Sequence, residues 1–140
     1  MTLDKVSARE IAVSGISAQR LRMNVIANNI ANANTTRTPE GGAFRRQMAI
    51  LRGGQIASAS NHERPGVEVK RVVRDPSELR QVYEPDHPDA DEGGYVNYPN
   101  VNISAEMVDM VSAQRAYEAN LAVLMSGIDM GNRALQIIEV

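Results

Sequence analysis

With 140 residues, 43% of them hydrophobic and 23% charged, the chain has the size of one domain and a composition that excludes a membrane-embedded or wholly disordered protein. Fifteen basic residues against seventeen acidic ones give a formal charge of -2, so no net positive field gathers phosphates and nucleic acid is not expected as a partner. The absence of Cys removes disulfides, thiolate nucleophiles and Cys-based zinc or iron-sulfur sites together.

At the amino terminus, Asp4, Lys5, Arg9 and Glu10 fall where a secretory signal needs an unbroken apolar stretch. No cleavable signal is expected, and no run approaches the ~18 apolar residues of a membrane span, so membrane insertion is not expected either. Residues 3 to 34 lack Pro and are rich in residues that lose little side-chain entropy in a helix, which predicts a long first helix. Ala12, Ile16, Gln19, Met23, Ile26, Ile30 and Ala33 alternate steps of three and four along it, with Gln19 as the interruption. Asn24, Asn28 and Asn32 stack at i, i+4 on one face. They are either a plain solvated face or a ladder of amides that sets the register of neighbouring helices.

All six Pro and seven of the ten Gly lie between positions 36 and 100, so this middle stretch is not helical. Partial period-2 alternation in 44–52, 67–74 and 79–83, bounded by Gly53-Gly54, Pro65-Gly66 and Asp75-Pro76, predicts a small antiparallel sheet. Residues 53 to 65 read as a mobile loop between strands. The segment from Glu84 to Gly94 gathers Asp86, His87, Asp89, Asp91 and Glu92 and invites a metal reading. As a calcium loop it fails, because Gly93 falls on the fifth position and Asn100 on the twelfth, where a Glu is needed. The expectation is an acidic turn with His87 bonded locally, no metal and no cofactor. His62 has no evident partner. No nucleophile elbow, phosphate loop or dinucleotide fingerprint occurs, so no catalytic residue, no enzyme activity and no small-molecule substrate is expected.

From residue 102 the pattern becomes helical again. Met107, Met110, Gln114, Tyr117, Leu121, Leu124, Ile128, Gly131, Leu135 and Ile138 keep heptad spacing over more than four heptads, the mark of a coiled-coil seam. Asn102 or Ser104 can cap its start, with Glu106 near the positive end of the helix dipole. Val6, Ile11, Leu21 and Val25 on the first helix, and Val108, Val111, Ala122 and Met125 on the second, form further apolar strips that a two-helix hairpin leaves in water. Other chains are expected to cover them. The expected fold is mainly α: long N- and C-terminal helices pack as a coiled-coil-like pair within a helical assembly, around a small irregular β-containing middle. The expected division is 1–36, 37–101 and 102–140. The expected subunit interface comprises Ile16, Met23, Asn24, Ile26, Asn28, Ile30 and Asn32 on the first helix. On the second it comprises Met107, Met110, Tyr117, Leu121, Leu124, Ile128, Leu135 and Ile138.

The stretch SGISAQRLRMNVIANNIANANTT at 14–36 resembles the amino-terminal signature of the axial proteins of the bacterial flagellum, the rod, hook and hook-associated family. YEPDHPDADEGGYVNYPNV at 83–101 and EMVDMVSAQRAYEAN at 106–120 are similar to subunits of the proximal rod within that family. The resemblance implies a structural subunit that leaves the cell through the flagellar export apparatus. It would polymerise with itself and other rod subunits through its terminal helices, and so build part of a tubular drive shaft that crosses the periplasm in the basal body and transmits motor torque. Two other readings of the residues are a closed coiled-coil adaptor of fixed stoichiometry and a metal-binding protein using the 86–92 turn.

Overall fold

The structure, a computed structural model, describes residues 8–57 and 63–138. In chain order it comprises α1 (Ala8–Ala31), β1 (Gln47–Ala57), β2 (Glu63–Arg74), β3 (Arg80–Tyr83), β4 (Tyr95–Tyr98) and α2 (Ile103–Ile138). Two helices thus flank two separate antiparallel hairpins, β1 with β2 and β3 with β4.

α1 stops three residues before the expected Asn34 because Asn32 turns its amide back, donating to the Asn28 carbonyl at 2.9 Å, while Thr35 N–H closes onto Asn32 O at 3.1 Å. Those bonds take up acceptors that a helix end otherwise leaves open. The expected first turn, residues 3 to 7, lies outside the described residues. α2 starts where Asn102 places its side-chain oxygen 3.2 Å from Ala105 N–H, with Glu106 N–H donating to Asn102 O at 2.9 Å. Its 36 residues make a helix about 54 Å long at ~1.5 Å per residue.

The helices run antiparallel, since Asn29 meets Glu106 near one end and Gly15 meets Asn120 further along. The contact seam differs from the expected one by a residue. On α1 the buried positions are Ala12, Gly15, Ala18, Val25, Ile26 and Asn29, and on α2 Glu106 and Ala113 are fully buried while Met107 and Leu121 stay exposed. The reason is size. A Cβ built on Gly15 would lie 2.8 Å from Asn120 Nδ2, so the backbones approach more closely than a seam of Met and Leu permits. Small side chains occupy the contact, and the larger ones flank it.

The middle holds more strand than expected. β1 continues through Gly53 and Gly54 to Ala57, and β2 begins at Glu63, so most of the expected loop at 53–65 is paired: Gly54 opposite Gly66, Gln55 opposite Pro65, Ala57 opposite Glu63. Residues 58–62, His62 among them, lie outside the described residues. Facing Gly54 with Gly66 removes side chains on both strands at one rung, which lets the ladder pass through residues whose composition predicts a loop. β1 starts at Gln47 rather than at Phe44. Lys70 is an extra residue in β2, because Ile50 pairs with Arg71 and Leu51 with Val69. The fourth strand, Tyr95–Tyr98, was not anticipated; it pairs residue for residue with Arg80–Tyr83 and turns the acidic segment into a hairpin loop.

α1 is the central element, touching α2 and both strands of the β1–β2 hairpin. The hairpin lies along it, with Gln47 bonded to Asn29 and Val67 N–H donating to Ser14 Oγ at 3.0 Å.

Candidate subunit interface and the polar joint beneath it

Of the fifteen residues expected at an interface, Ile26 is buried inside the chain, at 5% exposure. Ile16, Met23, Ile30, Asn32, Met110, Tyr117 and Leu124 are half-buried. Asn24, Asn28, Met107, Leu121 and Ile128 are exposed. Leu135 and Ile138 belong to the last turns of α2, and their side chains lie outside the described residues. Around the exposed members stand further large apolar groups: Ile11 and Leu21 on α1, and Val108 (70% exposed), Val111, Met125 and Met130 (64%) on α2. From Met125 onward every α2 residue of described burial is exposed. So much apolar surface on one long helix exceeds the scattered exposure ordinary for a monomer.

The Asn repeat divides by face. Asn28 reaches Gln47 Oε1 with its amide at 3.2 Å, and Asn32 bonds back to Asn28, so this edge points away from α2. The buried amide is the one between them. Asn29 is wholly buried; its Oδ1 accepts from Gln47 N–H at 2.8 Å, and its Nδ2 donates to Gln47 O at 2.8 Å and to Glu106 Oε2 at 3.0 Å. Its spacing from Ile26 and Ala33, three and four residues, is the signal that places it on the inner face.

Glu106, also fully buried, receives Arg46 Nε on its other oxygen at 2.5 Å. Arg46 further reaches Asp109 at 3.5 Å and Asp75 at 3.7 Å, and Arg22 from α1 meets Asp109 at 3.7 Å. Burial by itself would lower the Arg46 pKa, but the hydrogen bond and charge of Glu106, with Asp109 and Asp75, raise it above its ordinary value. The Asp75 carboxyl is held below the usual carboxylate value by hydrogen bonds from Ser77, with Arg46 adding to the effect. Asn100 closes the joint: its Oδ1 accepts from Arg46 N–H at 2.8 Å, and its amide donates to Ser77 Oγ at 2.8 Å. One polar joint therefore ties the end of α1, the start of β1, the link before α2 and the first turn of α2.

In the acidic loop, His87 Nδ1 accepts from Asp89 N–H at 3.0 Å, and Asp91 Oδ1 accepts from Gly93 and Tyr95 N–H, both at 2.9 Å. Asp89 accepts from Thr36 Oγ1 at 2.7 Å and pairs with Arg37 at 2.9 Å, which fastens the loop to the exit of α1. Gly94 has φ +79°, and a Cβ there would meet Tyr83 Cε2 at 2.9 Å. Among the described residues no three His, Asp or Glu converge as a metal site, and no helix is long and apolar enough to cross a membrane.

Residues 10–37 match the family described as Flagella basal body rod protein, and residues 92–137 match Flagellar basal body rod FlgEFG protein C-terminal. The flagellar basal-body rod protein FlgC of Borreliella burgdorferi is 45% identical over 147 aligned residues, covering 95% of this chain and 97% of that protein. The chain belongs to the FlgC family. FlgC of Bacillus subtilis is 37% identical over 140 residues, covering 91% of this chain and 93% of its own, and FlgC of Salmonella typhimurium is 40% identical over 115 residues, covering 82% and 84%. FlgC proteins are structural rod proteins and not enzymes. The two matched segments hold most of α1 and nearly all of α2, the helices that carry the exposed apolar surface.

Proposed function

We propose that the chain is a subunit of the proximal rod of the flagellar basal body, polymerising through its two terminal helices into a tube that crosses the periplasm and carries motor torque. The observation that carries this reading is the apolar surface of α2, from Met107 through Leu121 and Ile128 to Met130, left in water by a helix whose own partner is shorter. Neighbouring subunits, of this chain and of other rod proteins, cover that surface and the outward amides Asn24 and Asn28; Ile16, Met23, Ile30, Met110, Tyr117, Leu124, Leu135 and Ile138 complete the contact. In this reading residues 1–36 and 102–140 form the axial part and 37–101 the part carried on it, and the chain reaches the rod through the flagellar export apparatus. Contacts between unlike patches that do not close on themselves give an open helical array, which is what a tube requires.

The test is a strain lacking the native gene and expressing Leu121→Asp. Burying an unpaired carboxylate at a subunit contact costs several kcal/mol. The cells should be non-motile and lack rods in isolated basal bodies while the protein is present at its normal level. Normal swimming would show that this stripe faces solvent in the rod, and a single discrete oligomer at all concentrations would favour a closed adaptor.

A further inference from the structure

The two hairpins carry opposite charge. Residues 45–74, which hold β1 and β2, contain seven Arg or Lys and two Glu, whereas residues 75–99, which hold β3 and β4, contain seven Asp or Glu and one Arg. Within the chain much of this charge is engaged: Arg46 in the joint, Arg52 with Glu68, Arg74 with Glu40, Asp89 with Arg37. Two charges remain on each side. On the hairpin, Lys70 and Arg71 are both exposed and their side chains make no hydrogen bond or ion pair with the described residues; they sit at the bulge in β2, where the inserted residue has no cross-strand partner. Ile50, opposite Arg71, and Val72, next along the strand, are large apolar side chains exposed beside them, at 38% and 42%.

On the acidic hairpin, Asp86 and Glu92 are exposed and likewise without partners among the described residues. Where the strands enter and leave the loop that carries them, the hairpin presents Tyr83 and Tyr95, paired edge to face at 5.3 Å and exposed at 62% and 47%. Carboxylates around open aromatic rings make a surface suited to Lys and Arg, since a ring face attracts a cation and the flanking acids neutralise it. The same hairpin already does this once internally, with Arg80 5.2 Å above the Tyr98 ring.

We propose that the acidic, aromatic end of the β3–β4 hairpin of one copy docks on the Lys70–Arg71 face of the β1–β2 hairpin of a second copy. The occupant is a second copy because each copy supplies both halves of the match. The acidic loop is fastened to the exit of α1 by Asp89, and the bulge lies further along the hairpin that runs back over α1. The halves therefore sit at different levels of one molecule, and a contact between these unlike patches can pass from copy to copy. This inference rests on the subunit reading above and assigns the middle segment a share of the contact that the helices alone would otherwise make. Such a contact is electrostatic and exposed, so it weakens as salt shortens the Debye length from about 10 Å at 0.1 M to about 3 Å at 1 M.

The test uses the full chain in four forms: parent, Lys70→Glu/Arg71→Glu, Asp86→Lys/Glu92→Lys, and all four changes together. Self-association is followed by sedimentation at 0.1 M salt, with circular dichroism confirming equal helix content. Each double variant should need at least tenfold more protein to associate than the parent, and the quadruple variant, which restores opposite charges, should return to within threefold of it. Folded double variants that associate like the parent, or a quadruple variant no better than the doubles, would overturn the docking. So would a parent that does not associate at all.

A second measurement uses the lack of native Cys. Arg71→Cys and Glu92→Cys, combined in one chain, should give multimers with a short bis-maleimide in isolated basal bodies, and neither single variant should do so. Rods that assemble without such multimers would remove this contact and leave the helix-mediated rod standing. Loss of the helix reading shows instead as normal swimming of Leu121→Asp.

Discussion

Asn28 and Asn29 are neighbours of the same type with opposite surroundings, and substituting each by Ala separates what a surface amide does from what a buried one does. Asn29→Ala leaves the Gln47 N–H and carbonyl and one Glu106 oxygen without their partner inside the joint, where each unsatisfied group costs ~1 to 3 kcal/mol. Losses in one network are not additive, so about 3 kcal/mol in total is expected, read as a shift of the urea midpoint. Asn28→Ala removes only exposed bonds, its own to Gln47 and the one it accepts from Asn32, and should change stability by less than about 0.5 kcal/mol. Equal effects would mean that the joint does not hold the fold. In the sequence the set at 24, 28 and 32 is conspicuous because its amides recur at i, i+4, whereas Asn29 looks like one more member of the cluster. Its role depends on Glu106, 77 residues away, and no local spacing announces that pairing.

At the scale of elements, the close contact of Gly15 with Asn120 sets the distance between α1 and α2. Gly15→Ala gains about 1 kcal/mol of helix propensity. Against that, the Asn120 amide must swing away and give up its bond to Ala116 O at 2.9 Å. The two roughly cancel, so the thermal midpoint should hardly move; in an Asn120→Ala background the same change should stabilise by about 1 kcal/mol. Gly15→Leu pushes the helices apart in either background and should lower the midpoint by several degrees. A Gly15→Leu chain as stable as the parent would show that the helices do not approach here. The same contact explains why helix existence was legible and the seam was not. Composition and the absence of Pro mark both helices, but a rule that fills a seam with the largest apolar residues selects Met107 and Leu121, while the closest packing selects Gly15, Ala18 and Ala113. In the middle segment the glycine pairs that read as turns are rungs of a ladder. Tyr95–Tyr98 carries no strand signal of its own, because four residues after an acidic, Pro-rich run offer little alternation, and only its pairing with β3 defines it.

For the molecule as a whole, stability should grade along α2. Residues 106–120 are held by the joint and by α1, whereas from 125 onward the helix has no described burial. Hydrogen exchange of the monomeric chain should therefore show amides at 109–120 protected at least about tenfold more than those at 127–138. Uniform protection would mean that the far part of α2 is covered in the monomer.

The β1–β2 hairpin has a mechanical consequence. It is fastened to α1 at two places, Gln47 to Asn29 and Val67 to Ser14, fifteen residues apart on the helix. A strip pinned to a beam at two points resists bending of the beam, because curvature requires the pinned faces to slide past each other and the pins oppose that shear. A lone helix flexes by small adjustments of its own hydrogen bonds. α1 is clamped to α2 and to the hairpin on neighbouring faces, since Asn29 reaches both and the adjacent Ser14 and Gly15 meet one each, so a bend in it must shear one clamp or the other.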